Sequence, residues 1–172
     1  MGYHMRLYFG LSALIYSLLI GPGYAACDNA AAVKLAKAFW SEHRDFYYTE
    51  PAKVKALLTP AFFAVLSEEA KCNGEGEVCA IDADPWISAQ DGEVTGPITF
   101  RLAGQQDGIV SVSMDYRFML SETRQEPRAV TFQFKTAGDR RCFLLDDFIS
   151  PGEGSLKRRL QQWQAQNGAG PQ

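Results

Sequence analysis

The chain has 172 residues, which suits a single domain, and its 47% hydrophobic and 12% aromatic content is sufficient for an ordinary core. The formal net charge is −3. This mildly acidic balance argues against general binding of nucleic acid or of anionic lipid.

A secretory signal peptide is predicted over residues 1–25. "MGYHMR" is a short basic start, "LYFGLSALIYSLLI" is an apolar run of 14 residues, and "GPGYAA" ends it with small residues. That order is typical of an export signal, and the apolar run is too short for a comfortable transmembrane helix. We expect cleavage near Ala25 or Ala26, and therefore a periplasmic or secreted mature protein.

Cys27 raises a second interpretation of the N-terminus, because a cysteine directly after such a signal is the acylated residue of bacterial lipoproteins. Lipoprotein signals usually carry an aliphatic residue three positions before the cysteine, where this chain has Tyr24. We therefore favour a soluble exported protein over lipid anchoring, and we expect no membrane span.

Four cysteines remain after export, and an even number in an exported protein favours disulfides. Three connectivities are open. We favour Cys72–Cys79, because "NGEGEV" between them is a glycine-bearing loop that can close on itself, and Cys27 would then pair with Cys142. A zinc site is disfavoured, because the chain has no CxxC and the mature part keeps only His43. We expect no metal and no cofactor.

The first half of the mature chain predicts helices. Asp28 or Asn29 can cap a helix over "AAAVKLAKAFWSEHRDFYY", and "AKVKALLT" is short and amphipathic. Thr59-Pro60 is a cap followed by proline at the first helical position, which predicts a further helix over "AFFAVLSEEAKC".

"DADPWISAQD", residues 82–91, combines three carboxylates with a proline and a tryptophan. Asp84-Pro85 is typical of a helix N-terminus, and "PWISAQ" would give about one and a half turns. Asp91 is seven residues from Asp84 and would lie on nearly the same helix face. At the negative end of that helix it needs a partner, such as a backbone N–H, an arginine or a ligand.

A structural cap and turn is the favoured interpretation of this stretch, ahead of ligand contact and catalysis. Two aspartates on one face could act as a general acid and base, or ligate calcium with Asp82, although the EF-hand spacing is missing. The candidate ligand or partner contacts here are Asp84, Trp86, Gln90 and Asp91.

After Gly92 the hydrophobic pattern changes to period two. The sequential strands are predicted at "PITFRL", "GIVSVSMDYRFML", "RAVTFQFKT" and "RCFLLDDFI", and "SLKRRLQQWQ" forms a last amphipathic helix. Helices followed by sequential strands indicate an α+β domain over residues 26–166, with about four strands in a curved antiparallel sheet and a frayed tail over 167–172.

Asp146-Asp147 lies in the last predicted strand. Strand alternation should send one side chain inward and the other outward. We expect the inward carboxylate to be held by a salt bridge or a backbone contact, for example with Arg101 or Arg117. We include Asp147 among the candidate contacts.

Two short motifs carry a resemblance to a known family. The motifs are Asp-Pro-aromatic with Ala-Gln-Asp (Asp84, Pro85, Trp86, Ala89, Gln90, Asp91) and hydrophobic-x-Asp-hydrophobic (Leu145, Asp147, Phe148). In these motifs and in the order of its elements the chain resembles the bacterial domain of unknown function 3828, an exported family assigned to the nuclear-transport-factor-2-like (cystatin-like) superfamily of α+β cones. The resemblance implies helices packed inside a strongly curved sheet, allows a homodimer through the open sheet face, and supplies no catalytic residues.

Three functions follow as hypotheses. The leading one is a non-catalytic exported domain that binds a small apolar ligand or an envelope protein. The second is an immunity or inhibitor protein that uses the "NGEGEV" loop against a periplasmic effector. The third is an enzyme of the cone superfamily with Asp84, Asp91 or Asp147 as a general base.

Overall fold

The computed structural model describes residues 27–48, 51–76, 79–138 and 142–167. The predicted signal peptide lies outside the described residues, as does the tail beyond Asn167. The described chain is α+β, with three helices and one antiparallel sheet. The sheet has five strands where about four were expected, because a two-residue strand after the fourth adds to its edge.

The helices begin where the capping signals predict. Helix α1 spans Asn29–Glu42, and the Asp28 side chain accepts a hydrogen bond from Ala31 N at 2.9 Å. Helix α2 spans Pro60–Gly74, with Thr59 accepting from Phe62 N. Helix α3 spans Leu156–Asn167. No helix in the described ranges is long and apolar enough to cross a membrane.

Two expected helical stretches differ from the prediction. Helix α1 ends at Glu42, and the residues up to Tyr48 form turns rather than more helix. The expected amphipathic helix over "AKVKALLT" is replaced by two 3-10 turns, Pro51–Lys53 and Lys55–Leu57. Leu58 then pairs with the fourth strand, which pulls this segment out of helical geometry.

The strands follow chain order across the sheet. Strand β1 spans Glu93–Gln106, β2 Ile109–Ser121, β3 Arg124–Thr136, β4 Phe143–Ser150 and β5 Gly154–Ser155, in the order β1-β2-β3-β4-β5. Strands β1 and β3 are longer than predicted, while β2 has the predicted length and is shifted by one residue. Much of each polar link continues the ladder, so that only two-residue turns remain between β1 and β2 and between β2 and β3.

The core lies on one face of the sheet. Helix α1 contacts β1, β2 and β4, while α2 and α3 contact β4 and each other. Alternate strand residues point to this face, as the period-two pattern predicts. The buried strand residues on it include Val110, Val112, Met114, Tyr116, Phe118, Val130, Phe132 and Phe134.

Two disulfides close the fold. Cys27–Cys142 joins the start of the described chain to the residue before β4, and Cys72–Cys79 links the end of α2 to the chain leading into the 82–91 stretch. These are the two pairs that the sequence favours. The long-range bridge spans 115 residues and the short one spans 7.

Candidate functional site

The 82–91 stretch is a closed turn and not a helix. Ser88 N and Ile87 N both donate to Asp84 O, at 2.7 and 3.1 Å, and Asp84 N donates to Ala89 O at 3.2 Å. Ser88 has φ +46°, in the left-handed region, which stops any helix there. The predicted short helix is therefore wrong, and Asp84 and Asp91 do not share a helix face.

The Asp84 carboxylate holds this turn to the rest of the fold. One of its oxygens accepts from Trp86 N at 2.9 Å, as in an Asx turn, and from the Tyr47 hydroxyl at 2.9 Å. Burial raises the pKa of the Tyr47 phenol, and the neighbouring Asp84 carboxylate raises it further. Tyr47 therefore stays a neutral donor to Asp84 at ordinary pH.

Trp86 anchors the turn in the core. Its side chain is fully buried, and its indole N–H donates to Arg44 O at 2.6 Å. Edge-on ring packing of this kind stabilises the pair beyond burial alone. Centroid distances from the Trp86 ring are 5.1 Å to Trp40, 6.1 Å to Phe46, 5.7 Å to Phe132 and 4.8 Å to Phe148.

Two further groups from the sheet bond to the backbone of the turn. The Tyr116 hydroxyl donates to Trp86 O, and the Arg128 guanidinium donates to Ile87 O. Arg128 also stacks on the Phe118 ring, with 3.8 Å from its guanidinium carbon to the centroid. These hydrogen bonds attach the backbone of the turn to strands β2 and β3, which indicates a structural role for the turn.

Gln90 and Asp91 are the exposed candidates of this stretch. The Gln90 amide donates to Asp82 O at 3.3 Å, so it braces the loop. The Asp91 side chain lies at the surface just before Gly92. The structure thus brings Asp84, Trp86, Gln90 and Asp91 into one loop, but two of these face the interior and two face solvent.

Asp146 and Asp147 are both buried, contrary to the expected alternation. Gln133 pairs with Asp147 while Phe134 pairs with Leu145, so Asp146 is the extra residue of a β-bulge. The bulge breaks the period of two and lets both carboxylates avoid solvent, at 6% and 7% exposure.

Asp146 is held by an ion-pair cluster. Its carboxylate accepts from the Thr59 hydroxyl at 2.7 Å and from the Lys157 ammonium at 2.7 Å, and Lys135 lies at 3.1 Å. Burial raises the pKa of Asp146, but the hydrogen bonds from Lys157, Thr59 and Lys135 outweigh it and hold this pKa below its usual range. The cluster joins α2, β3, β4 and α3.

Asp147 organises the start of α3. Its carboxylate accepts from Lys157 N at 2.9 Å, from Phe148 N at 2.7 Å and from the Ser155 hydroxyl at 2.5 Å. Asp147 thus makes the expected backbone contact rather than a salt bridge, and Arg101 instead bonds Asp115 across the β1–β2 pair at 2.9 Å. Asp147 therefore accepts hydrogen bonds from the first turn of α3. It is far along the chain from Asp84 and is not part of the 82–91 turn.

His43, the histidine of the described chain, packs edge-on against Phe39 at 5.8 Å between centroids. No group of three or more His, Cys, Asp or Glu side chains is placed to hold a metal ion within the part of the chain that the structure describes.

A groove beside the 51–58 segment is a site that the sequence did not predict. It has a volume of about 680 Å³. We name it the basic groove, because it combines an apolar lining with two lysines. The apolar lining includes Leu58, Pro60, Phe63 and Leu144, and the lysines are Lys53 and Lys55.

The 51–58 segment holds these two lysines outward. Val54 between them is buried, while Lys53 and Lys55 are exposed, and Thr59 N donates to Leu145 O at 2.9 Å to dock the segment on β4. The Lys55 ammonium lies 5.0 Å from the Phe63 ring centroid, within reach of a cation–π contact.

A second cavity lies on the α1 side of the same segment. It has about 260 Å³ and is lined by Leu35, Leu57 and Phe143, with Lys34 among its lining residues. Ala56 lines both cavities. The "KVK" of the 51–58 segment is the only trace of the basic groove in the local sequence, because the groove forms only when β4 packs beside that segment and α2.

A comparison with protein-family models finds no match for this chain, and a comparison with curated proteins likewise finds none.

Proposed function

We propose that this protein is an exported, non-catalytic binding domain that holds a small ligand with an apolar portion in the basic groove. The observation that carries the proposal is the groove itself. At about 680 Å³ it falls within the range of small-ligand sites, roughly 300–1,000 Å³. Its lining joins apolar side chains with a few charged groups, which is the usual composition of such sites.

The state of the candidate bases supports binding over catalysis. Asp84 Oδ1 and both carboxylate oxygens of Asp147 accept hydrogen bonds that shape the turn and the start of α3. A general base needs a free lone pair within reach of substrate. Asp91 is exposed, and the groove lining has no carboxylate among the described residues.

Export is supported by the disulfides, since two bridges in a small domain fit an oxidising compartment. Cys27 bears on anchoring as well. Its sulfur is bonded to Cys142, and the thioether of a lipoprotein would need that same sulfur. We therefore propose a soluble periplasmic or secreted protein rather than a lipoprotein.

We also retain the resemblance to the domain of unknown function 3828 as a proposal. Its support is the order of helices followed by sequential antiparallel strands, together with the Asp-Pro-Trp turn. The inhibitor hypothesis depends on the 73–78 loop, of which residues 77 and 78 lie outside the described residues, so the groove is the site on which we rest the function.

A groove-filling substitution tests the proposal. Ala52 is exposed and lines the groove, so Ala52→Trp should occlude it without disturbing the core. Ala165→Trp, on the exposed side of α3, is the matched control. The probe is N-phenyl-1-naphthylamine, an uncharged dye whose fluorescence rises in apolar surroundings.

We expect the dye to bind the wild type and the Ala165→Trp control equally, and to bind Ala52→Trp at least about tenfold more weakly, since its apolar contacts are displaced. Equal binding to all three proteins would rule out the groove as the ligand site. Far-ultraviolet circular dichroism of each variant confirms that folding is unchanged.

A further inference from the structure

We propose that the ligand of the basic groove is an anionic amphiphile, with its acidic head beside Lys53 and Lys55 and its apolar chain against Leu58, Phe63 and Leu144. This inference rests on the proposed function of the groove and adds the chemical class of its ligand.

The described lining of the groove is positively charged, whereas the whole chain carries a net negative charge. The whole sequence is acidic, with a formal net charge of −3, yet the described residues that line the two cavities contribute three lysines and no carboxylate. A concentration of one sign of charge beside low-dielectric walls attracts a ligand of the opposite sign. An uncharged or cationic ligand would gain nothing from it.

The two groove lysines are available to a ligand. Lys135 and Lys157 are both engaged with Asp146, at 3.1 and 2.7 Å. Within the described residues, Lys53 and Lys55 form no ion pair with a carboxylate. Lys55 instead lies over Phe63, so a cation and an apolar ring face occupy the same wall. An acidic head on a hydrocarbon chain is complementary to that pairing.

The apolar surface continues beyond the head position. Leu58 is buried at the base, Phe63 and Leu144 are half-buried, and Ala56 carries the surface into the second cavity beside Leu57. Partly exposed apolar side chains along a continuous surface favour an extended chain over a compact polar anion such as phosphate, because each buried methylene adds to the affinity.

The experiment is calorimetric titration of the mature, disulfide-intact protein with three ten-carbon ligands, decanoate, decanol and decylammonium. Decanoate and decylammonium are kept below their micellar concentrations and decanol below its solubility limit. We expect decanoate to bind about tenfold more tightly than decanol, from two exposed charge contacts, and decylammonium to bind more weakly still. Dodecanoate should bind about two- to fourfold more tightly than decanoate for each added methylene.

Lysine variants assign the effect to the groove. Lys53→Gln with Lys55→Gln should abolish the preference for decanoate over decanol, and the paired arginine substitutions should keep it. The control removes the same charge elsewhere, with Lys37→Gln and Arg158→Gln at exposed positions outside the groove lining. It should leave the preference unchanged.

The outcomes separate this inference from the function on which it rests. Equal affinity for the three ligands, with displacement of N-phenyl-1-naphthylamine by each, overturns the anionic class and leaves the groove as a binding site. No binding of any of them, together with dye binding insensitive to Ala52→Trp, overturns both. Binding to phosphatidylglycerol vesicles but not to monomeric decanoate also overturns the proposal of an anionic amphiphile in the groove. It would mean that Lys53 and Lys55 contact a membrane surface. Phosphatidylcholine vesicles, which carry no net charge, are the control.

Discussion

The two disulfides should differ in how much they stabilise the fold. The test compares two paired variants, Cys27→Ala with Cys142→Ala and Cys72→Ala with Cys79→Ala. Each variant removes one bridge without leaving a free thiol, and alanine adds no polar group. The two variants carry the same substitutions and differ most in the length of the loop that the lost bridge closed, 115 residues against 7.

The magnitude follows from the entropy that each bridge removes from the unfolded chain. A loop of 115 residues corresponds to about 4.8 kcal/mol and a loop of 7 residues to about 2.4 kcal/mol at 25 °C. Loss of the long-range bridge should therefore cost about twice as much free energy of unfolding. Against a total stability of about 5–15 kcal/mol, loss of the long-range bridge should remove between about one third and nearly all of the free energy of unfolding.

Urea unfolding followed by circular dichroism measures both costs. With a slope of about 2 kcal/mol per molar urea, the two midpoints should differ by about 1.2 M, with the long-range variant lower. An equal or larger loss in the variant without the short bridge would refute the loop-entropy argument. It would mean that the short bridge acts chiefly on the folded state, by holding the end of α2.

Three further substitutions test the turn and the buried carboxylate. Trp86→Ala should lower the free energy of unfolding by about 3–5 kcal/mol, measured by urea unfolding, because it empties the centre of the aromatic cluster. Gly92→Ala should lower the free energy of unfolding by about 1–3 kcal/mol or more in the same assay. Gly92 has φ +115°, and a Cβ there would meet the Phe118 ring. A change within about 0.5 kcal/mol, as at a neutral surface site, would contradict the strain. The pKa of Asp146 is lower in the folded state than in the unfolded state. Its carboxylate therefore stabilises the fold at pH values above the unfolded pKa of about 3.9, and this contribution is lost as the pH falls through the folded-state pKa. Asp146→Asn should therefore be less stable than the wild type at pH 7, and this gap should narrow below about pH 4; a gap that is constant with pH would count against the ion-pair cluster.

The elements that the sequence predicts well are those set by local chemistry. Asp28 caps α1 and Thr59-Pro60 begins α2, because a side-chain oxygen or a proline acts within one turn of the chain. The alternation in "VSVSMDYRF" likewise sets one face of β2, since side chains on a strand alternate whatever the strand pairs with.

The 82–91 stretch shows where local signals fail. Asp-Pro begins turns as readily as helices, and its outcome here depends on contacts remote in sequence. Trp86 is drawn into rings from α1, β3 and β4, and Tyr116 and Arg128 bind the backbone that a helix would have used internally. Tertiary packing therefore decides against the helix.

The bulge in β4 and the basic groove, which the sequence did not predict, also depend on tertiary structure. A bulge cannot be read from "LLDDFI", because it depends on the register of β4 against β3, and that register places both Asp146 and Asp147 inside. The basic groove needs residues from the 51–58 segment, α2 and β4 to meet. Its lysines are visible in the sequence, but the apolar walls beside them become a site only on folding.

Native mass spectrometry of the disulfide-intact protein shows whether the basic groove carries a ligand. We expect a bound small-molecule mass on the wild type and on the Ala165→Trp control that is absent from Ala52→Trp, which occludes the groove. A wild-type protein that carries no bound mass, or an equal bound mass on Ala52→Trp, would contradict the assignment of the groove as the ligand site.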